Sequence, residues 1–482
     1  MRLWKRRVPL RPVIVMIAGL GLGACATANE DAAFQNVKAL VLERTKVPAV
    51  WHRDEASRAR ADYAVRGLLA QPLGADDAIQ LAFLRNPSIQ ASLATIGISE
   101  ADVAQAGRMR NPVVSFEHVA THGIREINRQ LLFSLLSLVT IGGRTEIAKN
   151  QAEQARYLAA LEIVRIAGEV KTAWVEAVAA RERVVLMDRI FASAKAAEEL
   201  TQRLADAGSM TEINQAKIKV SLAEIAGQRG QVRAAAQMAR ERLIRAMGLW
   251  GREITFKLPS RLPKLPRSVR KFGNLEQIAI SKRLDIRAAR KDVEAMRETW
   301  GLTGFTSVVN LLEVGLNADT EREREDGDTR KNTLKGFELE FAIPIFDPGD
   351  AKRSRAKWSY MRAVEKLKSL AVTARSEVRE GHIGYRAALD LARHYQRTIV
   401  PLRARISEEE LLRYNGMLAS VFELLMATRQ HAQASMTALD AKRDFWLADG
   451  HIDAVLLTGS GGTTPGSGEM ASAADASGGE EH

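Results

Sequence analysis

The sequence predicts a mainly α-helical chain with a β-barrel portion, built as two similar halves in which very long paired helices adjoin short strands of membrane-spanning length. Three observations predict it. No proline occurs between Pro112 and Pro259, and these 146 residues are rich in Ala, Arg, Glu, Leu and Gln, the strong helix formers. Ala82-Phe83-Leu84-Arg85-Asn86-Pro87-Ser88-Ile89-Gln90-Ala91 aligns without a gap to Ala279-Ile280-Ser281-Lys282-Arg283-Leu284-Asp285-Ile286-Arg287-Ala288, offset by 197 residues. Finally, Phe337, Leu339, Phe341, Ile343 and Ile345 alternate with Glu338, Glu340, Ala342 and Pro344, a period of two that puts one face apolar and the other polar or small.

The chain opens with Arg2, Lys5, Arg6, Arg7 and Arg11, followed by an apolar run from Val13 to Leu22 that is too short to cross a bilayer. That layout predicts a secretory leader over residues 1–24. Leu22-Gly23-Ala24-Cys25 resembles a lipobox, and Cys25 is the only cysteine of 482 residues, so its thiol is predicted to be acylated. Ala26 rather than Asp follows it, which favours export to the outer membrane, with the chain lipid-anchored and extending into the periplasm. A single cysteine excludes an internal disulfide framework and a multi-cysteine metal site. Of the net charge of +12, the leader accounts for five, and an exported chain at +7 meets no nucleic acid. Residues 25–74, with Pro48 and Trp51, read as an extended lead-in from the anchor.

The first half is expected over 75–250 and the second over 274–457, joined by a proline-rich linker at 251–273 and followed by a disordered Gly/Ser/Thr/Ala tail at 458–482. Each half runs helix, two strands, a glycine, a very long helix, a second glycine turn and a shorter helix. Gly143 answers to Gly349, and Gly208 to Gly416. Ile141 opens a helix expected to reach about Ala207, roughly 99 Å long at 1.5 Å per residue. Gly208 to Thr211 then turns the chain into a second helix ending near Met247. In the second half, Ala363, Leu367, Leu370, Ala374, Val378 and Gly381 form a stripe of small and apolar residues suited to close helix packing, and Pro401 should bend the helix.

Strands are expected at Val113 to Ala120, Gln130 to Thr140, Ser307 to Ala318 and 337–345, each about long enough for a tilted membrane strand. Glu321 to Asn332, where Glu and Arg alternate, reads as a charged, solvent-facing hairpin. Four strands leave open edges whose backbone groups lipid cannot satisfy, so membrane strands require an oligomer.

Ala78 to Pro87, Ala104-Gln105-Ala106-Gly107 followed by Asn111-Pro112, the strand end Ile343-Pro344-Ile345-Phe346-Asp347-Pro348-Gly349, and Tyr414-Asn415-Gly416 resemble the TolC-like outer-membrane efflux family over about residues 75 to 455. The resemblance implies a homotrimer in which each chain gives four strands to one twelve-stranded barrel while the helices form a coiled-coil periplasmic tunnel. It implies an adaptor protein and an inner-membrane pump as partners, with outer-membrane lipid around the barrel. The adaptor is expected at the tip formed by Gly208, Ser209, Met210, Asn415, Gly416 and Met417. Glu423, seven residues after Gly416 and so about two turns into the returning helix, is expected to line the closed mouth, three copies making an acidic gate; Arg429 is its alternative partner. Met426 stands where the family often has a second acid, and Pro348-Gly349-Asp350 where it commonly has paired glycines. Arg413 to Leu425 is similar to members associated with copper and other heavy-metal resistance, so small toxic compounds, with heavy-metal ions such as copper among them, are the expected cargo.

No catalytic, metal-ligating or cofactor-binding constellation is found. His118 and His122 are four apart but fall in a strand and its loop, and Gly19 to Gly23 belongs to the leader. An export duct is therefore the predicted function. A periplasmic structural lipoprotein made only of coiled coils is the alternative, and the alternating strand at 337–345 argues against it.

Overall fold

A computed structural model describes residues 30–121, 124–208, 210–270, 273–309, 311–325 and 328–459. The leader, Cys25, His122, Ser209 and all but the first two residues of the tail lie outside the described residues. The first half comprises α3 (Ala75–Arg85), α4 (Pro87–Ala106), β1 (Val113–Thr121), β2 (Ile124–Ser134), α5 (Leu135–Asp206) and α6 (Glu212–Met247). The second comprises α7 (Leu275–Lys282), α8 (Leu284–Thr306), β3 (Leu312–Glu325), β4 (Asp328–Phe341), α9 (Asp350–His394), a π-helical turn at Tyr395–Ile399, α10 (Val400–Asn415) and α11 (Val421–Leu457). The gapless alignment falls on this frame residue for residue: α3 and α4 are separated by Asn86, and α7 and α8 by Arg283, 197 positions on.

Several expectations are corrected. The lead-in is not wholly extended: it contains α1 (Glu30–Thr45) and α2 (Glu55–Leu69). Ala33, Val37 and Val41 form a fully buried stripe on α1, and Asp54 with Ser57 makes a reciprocal capping box that starts α2. Helix α5 begins at Leu135, directly after β2, so residues 135–140 are helical rather than strand, and Gly143 lies inside the helix. At 72 residues α5 is about 108 Å long. Residues 342–345 fall outside β4, and the charged hairpin expected at Glu321 to Asn332 is built from the ends of β3 and β4. At Pro401, which has no N–H to donate, the helix takes the π-helical turn in which Val400 N–H reaches back five residues to Tyr395.

The chain divides into two compact units. One, built among described residues from 30–35, 94–156 and 288–368, holds a single antiparallel sheet in the order β1-β2-β3-β4. Below its strands Trp300 stacks on Tyr360 at 5.6 Å, and buried Glu100 accepts from Arg156 at 2.5 Å. The other unit, 36–93, 157–287 and 369–459 among described residues, holds a helical core in which Val378, Tyr385 and Leu389 of α9 pack on Phe445, Ile452 and Val455 of α11. The expected stripe on α9 is buried or half-buried throughout. Linker residues are strapped to this core. Leu262 donates its N–H to Glu182, Lys442 donates to the Leu262 carbonyl, and Arg270 grips Asp449 and Asp453 at 3.0 and 2.8 Å.

Candidate functional site: a two-faced sheet and the helix turns

Antiparallel register puts directly paired residues on the same face, so the pairings sort the whole sheet. Val114 pairs Leu131, which pairs Leu316, which pairs Phe337. The next rows toward the helices are Phe133, Val314 and Leu339, then Leu312 and Phe341. In these rows the face is apolar and, at its edge strands, uncovered: Val114, Phe337 and Phe341 are 74%, 83% and 58% exposed, while Phe116, 68% exposed, shares the next row toward the turns with Arg129 and Lys335. A hydrophobic face of this kind needs an apolar surrounding.

The opposite face carries Glu117, Glu126, Glu313, Asp319, Glu321, Glu323, Glu338 and Glu340, with Asn128, Gln130, Asn317 and Asn332 and the apolar Val113, Val119, Ile124, Leu132 and Leu334 between them. Among described residues Arg330 is its one basic member. Glu313 pairs Glu340 directly, and Glu126 pairs Glu321. Facing carboxylates repel one another, so this face attracts cations and disfavours anions. Glycines at 315 and 336 leave room on it: Gln130 Nε2 reaches past Gly315 to Glu338 at 2.7 Å, and a Cβ at Gly336 would lie 2.5 Å from Asn317 Oδ1. Sequence reading missed this acidic face because the Glu/Arg alternation at 321–324 looked like a solvated loop. Its period of two was the available signal.

The two helix turns differ from expectation in one respect. Gly208 has φ +73°, the left-handed conformation that ends α5. Gly416 does not: its φ is −83°, and the left-handed residue is Met417, at φ +59°. Leu418 N–H donates to Arg413 at 2.8 Å and Met417 N–H to Tyr414 at 3.0 Å, a Schellman closure with methionine where glycine is usual. Met417 is 95% exposed and Leu418 74%. Asn415 is the last residue of α10, and Met210 is half-buried just before α6.

Glu423 stands in the first turn of α11, not two turns in, because that helix starts only at Val421. With Ser420 it forms a capping box: Ser420 N–H donates to Glu423 Oε2 at 2.7 Å, and Glu423 N–H to Ser420 Oγ at 3.3 Å. The Ser420 amide holds this exposed carboxyl below the usual carboxylate range. Arg429, the alternative partner, instead approaches Glu224 at 3.8 Å. Among the described residues no cluster of His, Cys, Asp and Glu has metal-binding form, and no helix is long and apolar enough to cross a membrane.

No family model matches the chain. The solved structure of CusC, which forms a transmembrane channel, superposes with a TM-score of 0.66 over 80% of this chain and 92% of that one, at 14% identity. The open state of the MtrE outer-membrane channel of Neisseria gonorrhoeae gives 0.63 over 79% and 88%, at 15% identity. This chain has the TolC-like outer-membrane channel fold. A sequence relative is the cobalt-zinc-cadmium resistance protein CzcC of Cupriavidus metallidurans, 25% identical over 294 residues, 58% of this chain. The match spans 64% of that relative's length. CusC and MtrE are channel proteins rather than enzymes.

Proposed function

We propose that this chain is the outer-membrane channel of a tripartite efflux system, working as a homotrimer with a periplasmic adaptor and an inner-membrane pump. The observation that carries the reading is the sheet. It is apolar on one face and acidic on the other, and its edge strands β1 and β4 are open, exposing apolar side chains and unpaired backbone. Lipid tolerates no such edge. Pairing β1 of one copy with β4 of the next removes both edges, buries the acidic face around a lumen and leaves the apolar face to lipid. A structural coiled-coil lipoprotein has no use for either face.

The acidic face supports cations as cargo, and the likeness to a cobalt-zinc-cadmium resistance protein supports heavy-metal ions among the small toxic compounds exported; copper is read from the resemblance of Arg413 to Leu425 alone. The Gly208 and Met417 turns fit an adaptor-docking tip, Met417 and Leu418 offering exposed apolar side chains. Three Glu423 carboxylates fit an acidic gate at the mouth. Cys25 is read as the lipid anchor. Planar-bilayer recording of the purified trimer tests the reading: discrete, cation-preferring conductance is expected, and a heat-stable trimer with no conductance would overturn it. Glutamate at Ser209 and at Met417 should abolish efflux while the trimer persists; unchanged adaptor crosslinking would refute docking there.

A further inference from the structure

On the apolar face of the sheet, the rows nearest the hairpin turns change character. Arg125 pairs Arg322, and Arg322 pairs Lys331, so three cations stand side by side in one row. Neighbouring strands are about 4.8 Å apart, which gathers all three within roughly 10 Å. Two rows nearer the helices, Arg129 and Lys335 flank Ala318. No acidic residue lies on this face in these rows; the carboxylates of the same segments, Glu321 and Glu323, are on the other face. Like charges directly across a ladder destabilise a sheet unless something anionic lies over them.

Their height on the strands says what that is. Rows on one face repeat about every 6.8 Å, and five steps separate the Phe341 row from the Lys331 row, roughly 34 Å along the strand. With membrane strands tilted by about 40°, that is roughly 26 Å of depth, the thickness of the apolar band of such barrels. If Phe341 lies at one edge of the hydrocarbon, Arg125, Arg322 and Lys331 lie in the headgroup layer at the other. That end bears the hairpin turns, whereas β1, β2 and β4 meet their flanking helical segments at the Phe341 end. Arg129 leans the same way: its Nη2 donates to Thr320 Oγ1, one row nearer the turns, at 3.0 Å.

We propose that Arg125, Arg322 and Lys331 form a docking site for the phosphate groups of lipid A in the outer leaflet. The proposal rests on the outer-membrane channel reading. Fixed cations in a row spaced like this match a diphosphorylated headgroup, and charge-assisted N–H···O contacts need no further recognition element.

The test uses the full-length trimer in detergent, with diphosphoryl lipid A, enzymatically dephosphorylated lipid A and inorganic phosphate as probes, beside the triple variant Arg125→Gln, Arg322→Gln, Lys331→Gln. Wild type should prefer diphosphoryl over dephosphorylated lipid A by on the order of 100-fold, the effect of three basic groups at an anionic surface, and the variant should lose most of it. Equal affinity of wild type for both lipids would overturn the proposal, as would a full preference retained by the variant. Binding of inorganic phosphate that matches lipid A would equally overturn a lipid source. The wild-type comparison stands even if the variant fails to assemble. Trimer formation and conductance are read in parallel, so loss of lipid preference with conductance intact separates failure here from failure of the channel reading.

Discussion

The two halves share a plan and diverge at the joints, and the joints are where the energetics differ. At the junction of α3 and α4 the first half uses Asn86, whose Nδ2 donates to the Ala246 carbonyl and whose Oδ1 accepts from Ser88 N–H, both at 2.9 Å. Gly248, at φ +74°, lets the chain pass directly over it: a Cβ there would sit 2.7 Å from Asn86 Cα. The second half keeps the design with a larger side chain. Arg283, 2% exposed, is held by Asp285 and Glu377 at 2.6 Å each, and Gly459, at φ +94°, leaves the room that a Cβ would take from the guanidinium. One seat is a neutral hydrogen-bonded cap and the other a buried ion triad, so the same geometry carries different risk.

That difference predicts the largest effect. Arg283→Ala strands two carboxylates and should cost about 3–5 kcal/mol, whereas Asn86→Ala should cost about 1–2 kcal/mol. The midpoint of thermal unfolding measures both, and equal losses would mean that the two joints carry the same risk. Next come the glycines before or within the long helices. Gly349 has φ +73° and an added Cβ would overlap the Ser307 backbone, so Gly349→Ala should cost about 2–4 kcal/mol. Gly143 is helical and a Cβ would meet only the Leu302 side chain, with its movable Cδ1 nearest at 3.1 Å, so Gly143→Ala should be near neutral. Folded yield in membranes distinguishes them.

A smaller effect of opposite sign is expected at the turns. Met417 holds a left-handed conformation that glycine adopts freely, as Gly208 does, so Met417→Gly should stabilise the turn by about 1 kcal/mol, read as slower amide exchange at Leu418. If that gain comes with weaker adaptor binding, the strain is retained for docking. The smallest effect concerns Glu423. Its carboxyl titrates below its ordinary value because the folded state hydrogen-bonds the anion. The contribution of this cap is therefore complete at neutral pH and disappears as pH falls through the lowered value. Glu423→Gln keeps the capping pattern but removes the charge, so it should leave α11 intact, flatten this pH dependence of amide protection in its first turn, and reduce cation preference if the gate reading is right.

The long helices and strand 337–341 were legible because composition and period are local signals. Helix α1 was not, since Ala33, Val37 and Val41 make a sparse stripe of small residues in a polar segment. The β2 boundary was overrun because Leu135, Leu136, Leu138 and Val139 continue the apolar content without the alternation. Among the tip residues, Gly208 was readable as a left-handed helix end, but Met417 was not, because only backbone geometry reveals which residue of Asn415-Gly416-Met417 turns. Ser420 and Glu423, three apart before an apolar run, did carry a readable capping-box signal. The acidic face needed the cross-strand register, which no single strand contains.

In the assembled channel the two faces of the sheet should look into two different solvents. Single cysteines at neighbouring positions of β4, Phe337→Cys and Glu338→Cys, test it most directly, in reconstituted trimers exposed to a charged, water-soluble thiol reagent, with Cys25 as the chain's only native cysteine. Rapid modification of Glu338→Cys is expected, with a fall in conductance as the lumen fills, and protection of Phe337→Cys except toward a lipid-soluble reagent. Equal modification of both by the charged reagent, with no change in conductance, would contradict it.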